Sequence, residues 1–223
     1  MRSTVLCLTI ASAISACQSS GGPSAPPPTT EMIRVTMNPG SWYFQASPGM
    51  PLNPMAHPEG GWSFNFPPRD GAHGVIHTVI GSAPKEIRIT GRVEGAGPLV
   101  AVDGCAPPRV RIFLQKRGDN YTLPSSEANQ SLNLTSPSAR ENWRWWNEGS
   151  ILEPGASFDV IAPLQPDKWS QVWGRSGATR VAAFTDAISN LQAVGVSLGA
   201  CSAMHGVYAN GPARFVLKEF SVR

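Results

Sequence analysis

Three tryptophans close together in the chain, Trp143, Trp145 and Trp146, have the side chains best suited to binding a ligand, and Asn142 and Arg144 accompany them. Successive side chains of a strand face opposite sides, so Trp143 and Trp145 would share one face, and Arg144 and Trp146 the other. If one of these pairs is left at the surface, a tryptophan ring can stack on the C–H face of a sugar while Arg144 and Asn142 bind its hydroxyls. The alternative is that the rings fill the core, because tryptophan is highly buried on average.

A second pattern, residues 195–199, matches the G-x-S-x-G nucleophile elbow of esterases. That motif needs its serine on a sharp turn from strand to helix, with an acid and a histidine later in the chain. Here Ser197 lies inside an apolar run, and only His205 and Glu219 follow it as histidine and acid. We therefore predict a tightly packed strand and assign no catalytic residue.

The histidines do not form a metal-binding pattern. His73 and His77 are four residues apart, and the neighbouring Gly71 and Gly74 favour a strand over a helix. Four residues of a strand span about 13 Å, which is too far for both rings to bind one ion. Because the chain also lacks a C-x-x-C pair, a phosphate-binding loop and a dinucleotide fingerprint, we predict no metal and no cofactor.

Acidic side chains are scattered over predicted loops and strand starts. A polysaccharide hydrolase would need two of them about 5–10 Å apart in one cleft, and the sequence does not reveal such a pair. The candidates are Glu127, Glu141, Glu148, Glu153, Asp159 and Asp167.

The N-terminus predicts where the protein is located. Arg2 precedes an apolar run that extends from Val5 to Ile14, and small residues then lead to Cys17. A short apolar run with these flanks is typical of a secretory signal, and it is shorter than the roughly twenty residues of a spanning helix. The cysteine directly after the small residues resembles a bacterial lipoprotein signal, with residues 1–16 cleaved and Cys17 lipidated. An ordinary signal with an unmodified cysteine is the alternative.

Residues 17–30 are predicted to be a tether, because Gly, Ser and Pro dominate and nothing apolar is available for burial. It would hold a folded domain, residues 31–223, away from a membrane surface. We expect the protein in the bacterial cell envelope, lipid-anchored at the outer membrane, on either its periplasmic or its outer face.

The composition favours a domain rich in turns and excludes nucleic acid as an evident partner. The net charge of the 223-residue chain is only +3, charged residues make up 15%, and there are 22 glycines and 21 prolines. Cys105 and Cys201 remain after the signal, and in an oxidising compartment we expect them to form a disulfide. Its closed loop would contribute roughly 4–5 kcal/mol in the chain-entropy model, and buried free thiols are the alternative.

Period-two alternation predicts most of the folded domain. It is clearest in residues 62–66, 86–93, 109–115 and 213–222, where apolar and polar residues alternate as in half-buried antiparallel strands. In the last of these, the pattern stays in phase only if one extra residue is inserted near Lys218-Glu219, which predicts a β-bulge. One amphipathic helix is predicted at 178–189. The sum is an all-β fold, a two-sheet antiparallel β-sandwich of jelly-roll type with one short helix.

A set of strand and turn residues in the last third of the chain carries a family resemblance. They are Trp169-Ser170, Val172-Trp173-Gly174, Phe184, Asn190-Leu191, Val194-Gly195-Val196, His205-Gly206-Val207 and residues 211–222. This set resembles the closing segment of jelly-roll, galactose-binding-like domains of exported bacterial proteins, many of which are carbohydrate-binding modules. The resemblance is loose over residues 60–223 and better over 150–223.

These indications lead to one expectation of function and two alternatives. We expect a lipid-anchored envelope protein whose sandwich binds a glycan rather than turning it over, as the resemblance also implies. The first alternative is a structural or assembly lipoprotein that contacts envelope proteins. The second, less favoured, is a hydrolase acting on a polysaccharide.

Overall fold

The computed structural model describes residues 32–44, 54–69, 75–78, 84–102, 104, 107–119, 140–200 and 206–223, with backbone alone at 44 and 75–78. Within these ranges no helix has the length and apolarity needed to cross a bilayer. The elements are β1 (Ile33–Arg34), β2 (Tyr43–Phe44), β3 (Met55–Ala56), β4 (Trp62–Asn65), β5 (Val75–Thr78), β6 (Glu86–Gly95), β7 (Leu99–Ala101), β8 (Arg109–Lys116), β9 (Arg144–Asn147), β10 (Ser150–Ile151), β11 (Ser157–Pro163), β12 (Trp169–Gln171), α1 (Val181–Ser189), β13 (Leu191–Gly199), β14 (Val207–Ala209) and β15 (Ala213–Val222).

The first sheet, sheet A, has the strand order β11-β6-β15-β4-β3, with β1 also paired to β15. Its two long central strands, β6 and β15, are antiparallel neighbours. Along β6 the predicted alternation holds, because Ile87, Ile89 and Val93 are buried while Arg88 is exposed. One face of sheet A therefore packs into the core and the other carries charged side chains.

The predicted bulge in the last strand is confirmed. The register of β15 against β6 shifts between Leu217 and Glu219, so Lys218 is the extra residue. Leu217 and Phe220 are both fully buried. Without the extra residue, every side chain after Leu217 would switch to the opposite face.

The second sheet, sheet B, has the order β12-β9-β8-β13-β5-β2, with β10 also paired to β8. Strands that follow one another in the chain cross between the two sheets, since β6, β11 and β15 belong to sheet A and β8, β9, β12 and β13 to sheet B. A separate two-stranded sheet joins β7 and β14. The predicted fold class, an all-β antiparallel sandwich of jelly-roll type, is confirmed, and the described residues contain one short α-helix.

Aromatic rings fill the core beside sheet A. Phe158 of β11 stacks on Phe215 of β15 with ring centroids 5.5 Å apart. This stack depends on Gly91 of β6, because a Cβ placed there would lie 2.4 Å from the Phe158 ring. A glycine in the middle of a long strand weakens it, and here it makes room for the ring.

Three details differ from the sequence-based expectation. The alternation of Ile33, Val35 and Met37 predicts a strand with these three side chains on one face, but β1 is only two residues long and Ile33 is 56% exposed. The prolines and glycines of residues 45–61 predict a long irregular loop, but β3 lies within this segment. The alternation of the last strand predicts that Val216 faces outward with Arg214, but Val216 is fully buried. It pairs with Arg92, whose guanidinium is held by Glu59 and Glu94, and long side chains fixed in this way cover apolar neighbours.

Candidate functional site

Trp145 lies in the core. Its side chain is fully buried, and its indole Nε1 donates to the backbone carbonyl of Asn142 at 2.7 Å. Its ring meets Phe184 of α1 edge to face, with centroids 5.2 Å apart. Asn142 is fully buried as well. In this structure these two predicted site residues hold helix α1 against sheet B and present no surface to a ligand.

Arg144 and Trp146 occupy the opposite face of β9, and both are buried. Trp146 is 5% exposed and packs with Phe113 and Val172. Arg144 donates to both carboxylate oxygens of Asp119, from Nε at 2.5 Å and from Nη2 at 2.8 Å. Neither Arg144 nor Trp146 is therefore left at the surface, as ligand binding by this pair would require. Asp119, which lies 25 residues earlier in the chain, neutralises the arginine, and apolar residues of other strands pack on the tryptophan.

Trp143 is the one predicted ring that remains partly exposed. The Lys116 ammonium lies 5.5 Å from the centre of its ring, a cation–π distance. Lys116 is also ion-paired with Asp186 of α1. These contacts fix Trp143 at the end of sheet B where β8 ends and β9 begins.

A tryptophan that the sequence reading did not select, Trp173, is 45% exposed. It follows β12, and β12 pairs with β9 so that Gln171 lies opposite Trp145. Trp173 therefore lies at the same end of the sheet as Trp143. Its backbone N–H donates to the Gln171 side-chain oxygen, and Gly174 completes the turn with φ of 73°. In the sequence, the dipeptide Trp173-Gly174 was the pattern that could have identified this turn, since a glycine with positive φ marks a tight turn.

Buried polar atoms without a hydrogen-bond partner collect at this end of the sheet. They include Glu141 Oε1, Trp143 Nε1, Gln171 Nε2 and both Nε and Nη1 of Arg180. Most buried polar atoms in proteins are paired, so a cluster of unpaired ones requires an explanation. We call Trp143, Trp173, Glu141, Gln171 and Arg180 the tryptophan corner.

Electrostatics links the charged members of the tryptophan corner. Burial, and then the positive charge of Arg175, lower the pKa of Arg180, while the negative charge of Glu141 opposes them. Arg180 is 6% exposed and Glu141 1% exposed. Arg180 and Glu141 therefore lie close enough to interact through space, but neither forms an ion pair with another described residue. Arg180 Nε and Nη1 and Glu141 Oε1 are left without a hydrogen-bond partner.

A groove of about 420 Å³ lies at the opposite end of β9 and β12. It is bounded by the Asn147–Gly149 turn, by residues 159–163 of the edge strand β11, and by Asp167 and Lys168. Three of the scattered carboxylates, those of Glu148, Asp159 and Asp167, therefore come together here.

The charged partners of two of these carboxylates keep them ionised. A bidentate hydrogen bond from Arg88 lowers the pKa of Asp159 below its usual range. Lys168 does the same to the pKa of Asp167. A glycosidase needs one carboxyl group with a raised pKa as general acid, and these two shift in the other direction.

The remaining sequence candidates are placed as follows. Ser197 is in the interior of strand β13 and 3% exposed, which confirms a packed strand rather than a nucleophile elbow. His57 lies 3.2 Å from Glu94. Within the described ranges no three potential ligands gather around a metal position. The signal and tether, Cys17, Cys105, Cys201, His73 and His205 lie outside the described residues, so the lipid anchor and the disulfide stay predictions.

Comparison with known proteins gives structural similarity without sequence similarity. No protein-family model matches the chain, and no curated protein matches its sequence. Among solved structures, a protein described as "xylan-binding module CBM15" superposes with a TM-score of 0.46 and 11% sequence identity, over 86% of this chain and 95% of that one.

Proposed function

We propose that this domain is a non-catalytic glycan-binding module that uses the tryptophan corner, and that a lipid on Cys17 anchors it in the bacterial envelope. The observation that carries the proposal is the exposed ring of Trp173, which lies at the same end of sheet B as buried polar atoms that have no partner. Sugars need both features, because their C–H faces stack on aromatic rings and their hydroxyls require donors and acceptors.

The chemistry of the corner suits hydroxyl groups. Arg180 and Gln171 have unpaired N–H donors, and Glu141 Oε1 is an unpaired acceptor. These atoms are buried, so a sugar hydroxyl reaches them only when the side chains that cover them move. A hydroxyl can accept from one and donate to the other at once. A sugar hydroxyl between Arg180 and Glu141 would therefore provide a hydrogen-bond partner for both side chains. It would add no charge to a site that already contains one positive and one negative side chain.

Binding is favoured over hydrolysis by the behaviour of the carboxylates. In the groove, Arg88 and Lys168 lower the pKa of Asp159 and Asp167, so neither is suited to protonate a leaving group near neutral pH. In the tryptophan corner Glu141 is the only carboxylate, whereas glycoside hydrolysis uses a pair.

Affinity electrophoresis through a panel of soluble neutral and acidic polysaccharides tests the proposal. At least one should retard the protein, and Trp173→Ala should weaken that binding by about tenfold or more, as expected for an anchoring tryptophan. Glu141→Gln should also weaken it, since the replacement keeps size but loses the charged acceptor. Tyr43→Ala is the matched control, because Tyr43 is 67% exposed on β2 at the opposite edge of sheet B. Failure of the wild type to bind any polysaccharide, or equal loss in Trp173→Ala and Tyr43→Ala, would refute the proposal.

The anchor is tested separately. Cells that express the full chain and grow with an alkyne-tagged fatty acid should label the protein, and Cys17→Ser should abolish the label and release the protein from the membrane fraction. Cys7→Ser is the control, because Cys7 lies within the predicted signal. Labelling that persists in Cys17→Ser would contradict the anchor without affecting glycan binding.

A further inference from the structure

The groove beside β11 has features that glycan binding at the tryptophan corner does not use. β11 is an edge strand: within the described residues it pairs with β6 and with no other strand. Edge strands expose a row of unpaired backbone groups that can accept another strand. Many are protected by an inward-pointing lysine or a covering loop, whereas this one borders an open groove.

The register shows which backbone groups face the groove. Val93 N–H donates to the carbonyl of Ala156 at 2.9 Å, and the β11–β6 register continues from that pair. Hydrogen-bonded pairs alternate in an antiparallel ladder, so Phe158 and Val160 turn their N–H and C=O groups toward β6. Asp159 and Ile161 turn theirs away, into the groove.

The backbone edge of β11 that can accept another strand ends at Pro163. Pro163 has no N–H to donate, and its carbonyl already accepts from Trp169 Nε1 at 2.9 Å. The accessible edge therefore centres on Asp159 and Ile161, which offer two N–H and two C=O groups at strand spacing. The Ile161 side chain is 55% exposed on the outer face of sheet A, where an added strand would place an apolar partner beside it.

Charge indicates what the added segment carries. Asp159 is held by Arg88 and Asp167 by Lys168. Glu148, in contrast, is 87% exposed, and its closest cation is Arg109 at 3.9 Å. It is the groove carboxylate with the weakest compensation, so a lysine or arginine of an incoming chain has a partner there. Among the described residues that line the groove there is no aromatic ring, which favours a peptide over a sugar.

We infer that the groove beside β11 is a docking slot for an extended peptide segment of a partner protein, which adds as a strand along Asp159 and Ile161 and places a basic side chain at Glu148. This is β-strand addition, in which main-chain hydrogen bonds supply affinity and side-chain contacts supply specificity. It is a second binding function, independent of the tryptophan corner.

The test uses the full chain and an array of peptides of about eight residues, with alternating valine and threonine and one central position that is lysine, alanine or glutamate. The lysine series should bind best. Ile161→Pro should weaken binding by about tenfold through the lost N–H and the blocked edge, and Ile161→Val is the matched control. Because the Ile161 N–H points away from β6, proline there leaves the sheet ladder intact, and circular dichroism with thermal unfolding checks that it does.

Two further readouts make the outcome decisive. The lysine peptide should slow hydrogen exchange at the Asp159 and Ile161 amides, and Glu148→Lys should reverse the preference so that the glutamate series binds best. No binding by any peptide, or binding unchanged in Ile161→Pro, would overturn the inference. Binding of an oligosaccharide that Ile161→Pro removes would also overturn it, because the groove would then be a glycan site.

Discussion

Removing the carboxylate of Asp119 should destabilise the domain strongly, because the buried Arg144 guanidinium would lose its bidentate anionic partner. The side chain of Asp119 is 1% exposed and that of Arg144 is 9% exposed, and two hydrogen bonds of 2.5 and 2.8 Å join them. Gln115 Nε2 adds a third, to Asp119 Oδ2, at 3.1 Å. Breaking a buried pair from one side costs about 3–5 kcal/mol, a large part of a total stability of about 5–15 kcal/mol. In urea, with a slope of about 2 kcal/mol/M, Asp119→Ala should lower the unfolding midpoint by about 2 M.

The exposed pair of Arg88 and Asp159 is the matched control. It has the same bidentate geometry, with bonds of 2.9 and 2.6 Å, but its side chains are 44% and 47% exposed. Asp159→Ala should therefore cost less than about 1 kcal/mol. The double variant Asp119→Leu with Arg144→Met should recover most of the loss, since no charge is then left buried. An Asp119→Ala cost equal to that of Asp159→Ala, or no recovery in the double variant, would refute a structural role for Arg144.

Two further outcomes follow from the charge distribution and the cysteines. Hydrogen bonds from Arg92 and then Lys218 lower the pKa of Glu59 to about 2, so the stabilising contribution of Glu59 is complete above the unfolded pKa near 4.5 and disappears as the pH falls through about 2. Thermal unfolding temperatures of the wild type and Glu59→Gln should therefore differ at pH 6 and converge near pH 2. A difference that grows on acidification would contradict this. Reduction, or Cys105→Ser with Cys201→Ser, should lower stability by roughly 4–5 kcal/mol if the predicted disulfide forms, whereas mass spectrometry that finds two free thiols in the oxidised protein would exclude it.

Most of the fold could be predicted because it depends on local pattern. Alternation identified β6, β8 and β15, and the single interruption near Lys218 identified a bulge that the register confirms. A period-two pattern indicates which side chains of a strand face the core, even when the element that packs against the strand is unknown. The pattern failed at β1 and β3, which are two residues each, because so short a strand depends on the partner that pairs with it.

The candidate site was harder to predict, because burial of a polar or aromatic residue depends on distant partners. Nothing near Arg144 in the sequence indicates that Asp119 would neutralise it. Trp143 and Trp145 are both tryptophans, and their spacing of two residues places them on one face of a strand. Phe184 of α1 nevertheless covers Trp145, and Trp143 stays partly exposed. In the sequence, Trp173 was distinguished only as one of the residues that carry the family resemblance.

The sequence by itself determined the residue types, the strand alternation, the bulge and the prediction of a lipidated Cys17, since each depends on neighbours along the chain. The tertiary structure decided which tryptophans are available. It buried Trp145 and Trp146, exposed Trp173, and left buried polar atoms of Glu141, Gln171 and Arg180 without hydrogen-bond partners. The physical reason is that the exposure of a side chain depends on which neighbouring element packs against it. Strand order and helix position determine that neighbour, and both become known only when the chain is folded.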